Sequence, residues 1–254
     1  MKLTGKLVFF VLLALTVVGG WMFRDYFTGG STPGAPEIVV KGKRVPDAVR
    51  YHHLKEEVSR WRGVLADRHK AAATAEEKAR VEDEARDFLI EILPAMMDCW
   101  MGTPWNFHGT AEGPGEAPVA CGYFVATVLK DAGFRVDRYE LAKQPSQLIL
   151  RTFLPRSAMT LRAGVPYEDF TAELKSLPPG IRIVGLDTHV GFLVCHEGGF
   201  RFVHSSGSKP WCVVDESEEN AEVLRKSSYR VHGCLTADRA VVRGWLLDKG
   251  FEVP

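Results

Sequence analysis

Net charge is the first thing this chain lacks. Over 254 residues, Lys plus Arg total 32 and Asp plus Glu total 32. Nucleic-acid binding is driven by neutralising phosphates with an excess of basic side chains. The balance offers no such excess, so no nucleic-acid partner is expected. Cysteine is sparse: Cys99, Cys121, Cys195, Cys212 and Cys234 are the full set. Five in a domain of this length are too few for a disulfide scaffold, and an odd count leaves at least one free thiol. Cys195 and Cys212 lie in neighbouring strand candidates, and whether they pair is left open. No C-x-x-C occurs, which removes the zinc and thioredoxin-type readings. No metal and no cofactor are expected. Internal repeats are missing too, so a solenoid is excluded.

At the N-terminus, Lys2 and Lys6 precede an apolar run from Leu7 to Phe23, interrupted by Thr16, Gly19 and Gly20. A basic start followed by such a run reads as a signal peptide or a signal anchor over 1–27. Both put the body of the protein outside the cytoplasm, in the periplasm or cell envelope, and the second attaches it to the membrane through 7–23. No cysteine follows the run, so a lipoprotein anchor is not expected. Residues 28–46, rich in Gly and Pro, form a linker. What remains, roughly 200 residues, suits one well-buried domain.

A helical hairpin is expected over 47–93, with helices at 48–70 and 74–92. Asp47 opens the first, and Thr74 with Glu76 and Glu77 opens the second. Pro94 is expected to disturb its end. His52, His53 and His69 are taken as solvated. Residues 138–154 and 167–176 look helical within a segment, 136–180, that is otherwise irregular. Then short runs rich in β-branched and aromatic residues follow at 181–186, 189–195, 199–205 and 211–216, separated by turn signals. They predict an antiparallel meander. A short helix near 217–226, a strand at 230–235 and a last helix capped by Thr236 complete the chain. Helices first and antiparallel strands later give an α+β fold, with 94–254 as the functional domain.

The stretch from Cys99 to Gly133 organises this domain. Cys121, Phe124, Val125, Val128, Leu129 and Ala132 recur at the spacing of one apolar helix face, and Gly133 supplies a left-handed helix end. The thiol of Cys121 therefore stands at a helix start, where the helix dipole and unpaired N–H groups favour a thiolate. A nucleophilic thiolate needs a base, and the base needs a third group to orient it. His189 begins one strand candidate and His204 lies near the end of the next. If those strands form a hairpin, the two histidines are cross-strand neighbours. His189 is then the base and His204 holds its tautomer. Singly, a cysteine on an apolar face is ordinarily a core residue and a strand histidine a satisfied polar group. Together at matching ends, they make a catalytic constellation. His108, in the loop before the thiol, is a candidate for lining the cleft. His196 is assigned to an exposed turn, and His232 and Cys99 to structure.

Gly102-Thr103-Pro104-Trp105, Ala120-Cys121-Gly122-Tyr123-Phe124-Val125, His189-Val190-Gly191-Phe192 and Phe202-Val203-His204-Ser205-Ser206 occur in that order. Over about 101–206 the series resembles the motifs of the NlpC-type cysteine peptidases, papain-like endopeptidases and amidases of the cell wall. The resemblance implies a papain-like fold, with a nucleophile helix packed on an antiparallel sheet. It also implies a Cys121–His189–His204 triad and a peptide of peptidoglycan as substrate. Trp105, His108, Gly122 and Tyr123 are the corresponding candidates for substrate binding and the oxyanion side. Three positions depart from the family pattern: Ala120 replaces an Asp, Gly122 a Ser, and Trp105 a Tyr. The first expectation is an exported thiol hydrolase acting on an amide bond. An acyltransferase with the same triad, or a non-catalytic envelope binding module, are the alternatives.

Overall fold

Two long helices open the part of the chain described in the computed structural model, residues 44–254. The signal or anchor segment 1–27 and nearly all of the linker 28–46 lie outside the described residues. Helix α1 (Ala48–Ala71) begins at Asp47, whose carboxylate accepts the N–H of Arg50. Helix α2 (Ala75–Asp98) begins with a capping box. Thr74 accepts the N–H of Glu77, and the Glu77 carboxylate accepts the N–H of Thr74. The second helix does not stop near 92. It runs through Pro94, because Leu93, Met96 and Met97 continue its buried stripe. Burying three such side chains is worth about 1.5–3 kcal/mol each, more than the roughly 3 kcal/mol that a proline costs a helix. His52 and His53 are exposed as expected, but His69 is buried, with Nε2 3.2 Å from Glu82. It is part of the hairpin's interior and not a solvated side chain.

Six strands follow: β1 (Met159–Ala163), β2 (Gly180–Leu186), β3 (Val190–His196), β4 (Gly199–Ser205), β5 (Val213–Ser217) and β6 (Tyr229–Cys234). They form one antiparallel sheet in the order β1-β6-β2-β3-β4-β5. The meander is β2 to β5. β6 then returns to the other edge of β2, and β1 pairs with it on the outside. β1 falls inside the segment expected to be helical and irregular. It is a five-residue edge strand whose residues are half-buried or exposed, too short for a period-2 signal to stand out.

The remaining helices are α3 (Cys121–Asp131), α4 (Arg138–Ala142), α5 (Ser146–Phe153), α6 (Tyr167–Ser176), α7 (Glu222–Lys226) and α8 (Arg239–Leu246). Asp238, not Thr236, caps α8, accepting the N–H groups of Ala240 and Val241. Thr236 instead accepts the N–H of Ile181 at 3.0 Å, closing the end of β2. α6 covers one face of the sheet, where Tyr167, Phe170 and Leu174 pack with Val184, Leu193 and Phe202. α3 covers the opposite face, with Phe124 edge-on to Phe192 at 6.0 Å. At the far end of α3, Gly133 takes φ +88° and the Ala132 carbonyl accepts the indole N–H of Trp245 at 2.6 Å. Trp245 also contacts Phe88 of α2. So α8 joins the hairpin to the helix that carries Cys121, and Lys43–Pro254 form one unit. The chain is α+β, with helices on an antiparallel sheet. Among the described residues no helix is long and apolar enough to cross a membrane.

Candidate active site

Cys121 is the first residue of α3. Ala120 precedes it with extended backbone and has no side chain to cap the helix. The uncapped N–H groups are therefore left for the thiol. Those of Cys121 and Gly122 face the sulfur, and so does that of Val190 on β3. The Val190 N–H belongs to the peptide bond that joins it to His189, so the thiol lies against the base's own backbone. All three donors favour the thiolate, but burial opposes it more strongly and the net effect raises the Cys121 pKa. The expectation of a thiolate at rest is corrected on this point: the helix start supplies the donors, and desolvation outweighs them.

His189 and His204 meet across the β3–β4 hairpin. His189 Nε2 stands 2.7 Å from His204 Nδ1, with the rings perpendicular. The strand register explains the approach. Phe192 pairs with Val203, which brings Gly191 opposite His204. A Cβ on Gly191 would lie 2.8 Å from His204 Cβ, so only a glycine leaves the imidazole its place. Phe202 stacks on His204 at 4.1 Å and fixes the ring plane. Burial pushes both imidazoles down to about 3, and His204 further disfavours charge on His189. His204 makes one further contact that the sequence pattern did not single out: its Nε2 is 3.0 Å from Glu216 Oε2 on β5. Burial, reinforced by Glu222 and Asp215, pushes Glu216 up to about 7, against the pull of Arg201.

Cys121, Gly122 and His189 line one cleft of about 690 Å³, together with Lys143, Gln144, Ser146, Asp187 and Tyr229. The thiol and the His189 ring are not hydrogen-bonded to each other; the ring's hydrogen bond is to His204. In apo enzymes catalytic hydrogen bonds are often long and tighten only with substrate, so the missing contact does not by itself remove the pair as a candidate. The other sequence candidates sit elsewhere. Trp105 packs against Trp211 at 5.4 Å, and a Cβ on Gly207 would touch its ring. His108 is exposed beside Phe107. Tyr123 faces Tyr139 and the Arg138 guanidinium. In their place the cleft wall comes from 142–147 and the 186–190 turn. Nothing in the sequence pattern marks these residues, because folding alone brings them to the thiol. Asp187 is held by Ser227 and by the N–H of Ser228, which ties that turn to β6.

His196 is exposed, as assigned, and His232 is buried beside Phe170. Cys99, Cys121, Cys195 and Cys234 are free thiols, so Cys195 forms no disulfide with Cys212. Cys99 is buried with its thiol on the Ala95 carbonyl, and burial pushes its pKa up to about 11. Among the described residues no group of three His, Cys, Asp or Glu side chains is placed to hold a metal.

Comparison with protein-family models, curated proteins and solved structures finds no match.

Proposed function

We propose that this chain is an exported thiol hydrolase of papain-like type that cleaves an amide bond, with a peptide of peptidoglycan as its substrate. One observation carries the reading. A helix-start thiol and a histidine backed by a second histidine open on the same cleft, and the thiol rests against the peptide of that histidine. The choice of peptidoglycan rests on the motif resemblance together with the N-terminal segment.

His189 Nε2 is occupied by His204, so proton exchange falls to Nδ1. As Cys121 Sγ attacks the carbonyl carbon, its proton passes to His189 Nδ1 and the carbonyl oxygen becomes an oxyanion. N–H groups at the start of α3 are the donors for that charge. Collapse of the intermediate breaks the C–N bond, and the His189 proton goes to the leaving amine. Water then attacks the thioester, giving its proton to His189 and releasing the acid and the free thiol. At rest both partners are neutral, so proton transfer accompanies attack instead of preceding it.

The test uses the full chain and Cys121→Ala with muropeptides, followed by mass spectrometry. Cleavage products from the parent chain and none from Cys121→Ala support the proposal. Absence of any Cys121-dependent product sinks it for this substrate class. A second reading, a binding module that keeps the fold without turnover, is favoured by the raised Cys121 pKa and the unmade thiol–imidazole hydrogen bond. Binding of muropeptides with equal affinity by both forms, without products, would select it.

A further inference from the structure

The polar chain behind His189 does not end at His204. His204 is fully buried, and both of its ring nitrogens are engaged: Nδ1 with His189 at 2.7 Å and Nε2 with Glu216 at 3.0 Å. A neutral imidazole has one N–H and one lone pair. Whatever faces Nε2 therefore decides what Nδ1 offers to the next ring. The sheet builds this alignment. β4 and β5 pair Phe202 with Glu216 and His204 with Val214, so Phe202, His204 and Glu216 share one face. The stacked Phe202 ring resists rotation of the imidazole. The charged groups that act on Glu216 are Glu222 on α7, Asp215 next to it on β5 and Arg201 on β4, the last two from the opposite face of the sheet. Arg201 bonds Asp215 at 2.8 Å, which leaves His204 as the hydrogen-bond partner of Glu216.

We infer that Glu216 is a positioning residue whose ionisation sets the tautomer of both imidazoles, and so decides whether His189 Nδ1 can accept a proton. The inference rests on the thiol-hydrolase reading for its catalytic meaning. With Glu216 ionised, its carboxylate accepts the Nε2–H of His204. His204 Nδ1 then accepts the Nε2–H of His189, and His189 Nδ1 carries a lone pair toward the cleft. When Glu216 takes a proton from solvent, its O–H donates to His204 Nε2. His204 then donates from Nδ1 to His189 Nε2, and the His189 proton moves to Nδ1. Each ring keeps one proton throughout, and the base is switched off. The half-buried, acid-flanked setting of Glu216 pushes its titration up to about 7, inside the neutral range.

The experiment is nitrogen-resolved imidazole NMR on the full chain labelled at histidine, from pH 5 to 8.5. It compares the parent chain with Glu216→Gln and follows kcat/KM on muropeptides in parallel. The parent chain is expected to pass from Nδ1–H to Nε2–H tautomers at both rings with a midpoint near 7, and Glu216→Gln to show no such transition. In activity, the acid limb near pH 7 disappears in Glu216→Gln. Its kcat falls at least about tenfold while KM stays within about twofold, and Glu216→Asp recovers part of the loss. A transition that persists in Glu216→Gln, or is missing from the parent chain, overturns the inference. The parent titration decides alone if the variants do not fold. The NMR needs no turnover, so an inactive chain with the tautomer switch would refute the hydrolase and not the positioning. An active chain without the switch would refute the positioning and not the hydrolase.

Discussion

Glu82→Ala is the substitution whose cost follows most directly from the structure. Glu82 is 3% exposed on α2 and has three cationic or polar partners. Arg243 bonds it at 2.6 and 3.1 Å, Arg239 at 3.3 Å and His69 at 3.2 Å. One carboxylate thus ties α1, α2 and α8 together. Removing one member of a buried ion pair costs about 3–5 kcal/mol when its partners stay buried. Here Arg243 and Arg239 are 50% and 54% exposed and can turn to water, and Arg239 keeps Asp83 at 2.8 Å. The expected cost therefore falls to about 2–3 kcal/mol. At about 2–4 °C per kcal/mol for a domain of this size, Tm drops by roughly 4–12 °C at pH 7. The pH dependence has a definite sign. Arg243 first, then His69 and Arg239, hold the Glu82 carboxyl below its usual range. Its stabilisation is complete above the unfolded carboxylate value of about 4.3 and is lost as pH falls through the folded value. Thermal unfolding by circular dichroism at pH 7, stepped down to pH 3, reads both effects, and a cycle with Arg243→Met isolates the pair. A Tm loss below about 1 °C at pH 7, or a gap that stays constant to pH 3, would show that Glu82 does not tie the three helices together.

Gly191→Ala is expected to cost about 1–3 kcal/mol of stability by overpacking, since the added methyl meets His204 Cβ and Phe202 Cε2 at 2.8 Å. It should also displace His204 from His189, so turnover falls more than unfolding at the assay temperature explains; a variant as stable and active as the parent contradicts the close approach. Alkylation of Cys121, read by peptide mapping against pH, should inflect above the value of about 8.5 for free cysteine, because burial dominates its surroundings. An inflection below pH 7 would mean a standing thiolate–imidazolium pair, which neither ring's electrostatics supports.

The neutral resting pair has a mechanistic consequence. A low-pKa thiolate would be reactive toward any electrophile reaching the cleft. On the proposed mechanism Cys121 instead gains its charge only as His189 takes the proton, and the developing imidazolium would be stabilised through His204 by the Glu216 carboxylate. The driving force for attack would then depend on a group two hydrogen bonds from the reacting ring. A reaction run this way would be gated by β5, the fourth strand of the meander, as much as by the thiol.

How much of this was legible in the residues differs by element, for physical reasons. The α3 start was readable because its apolar period is strict and Gly133 marks its end. The His189–His204 contact was readable because a hairpin with a short turn fixes its own register. The thiol's protonation state was not, since burial is a property of the packed cleft and only the N–H donors are local. His69 looked like a surface histidine because its partner Glu82 lies on the next helix and the arginines that complete the cluster are more than 150 residues away in sequence. Glu216 was invisible for a sharper reason. It sits on β5, joined to β4 by a loop carrying Pro210 and Trp211, the latter at φ +60°, and no turn rule predicts the register across such a connection. A slip of one residue would turn Glu216 to the opposite face, toward α3, and put Asp215 or Ser217 behind His204. Asp215 is instead bonded to Arg201 on that opposite face, and this pair helps hold β5 in the register that aims Glu216 at the imidazole.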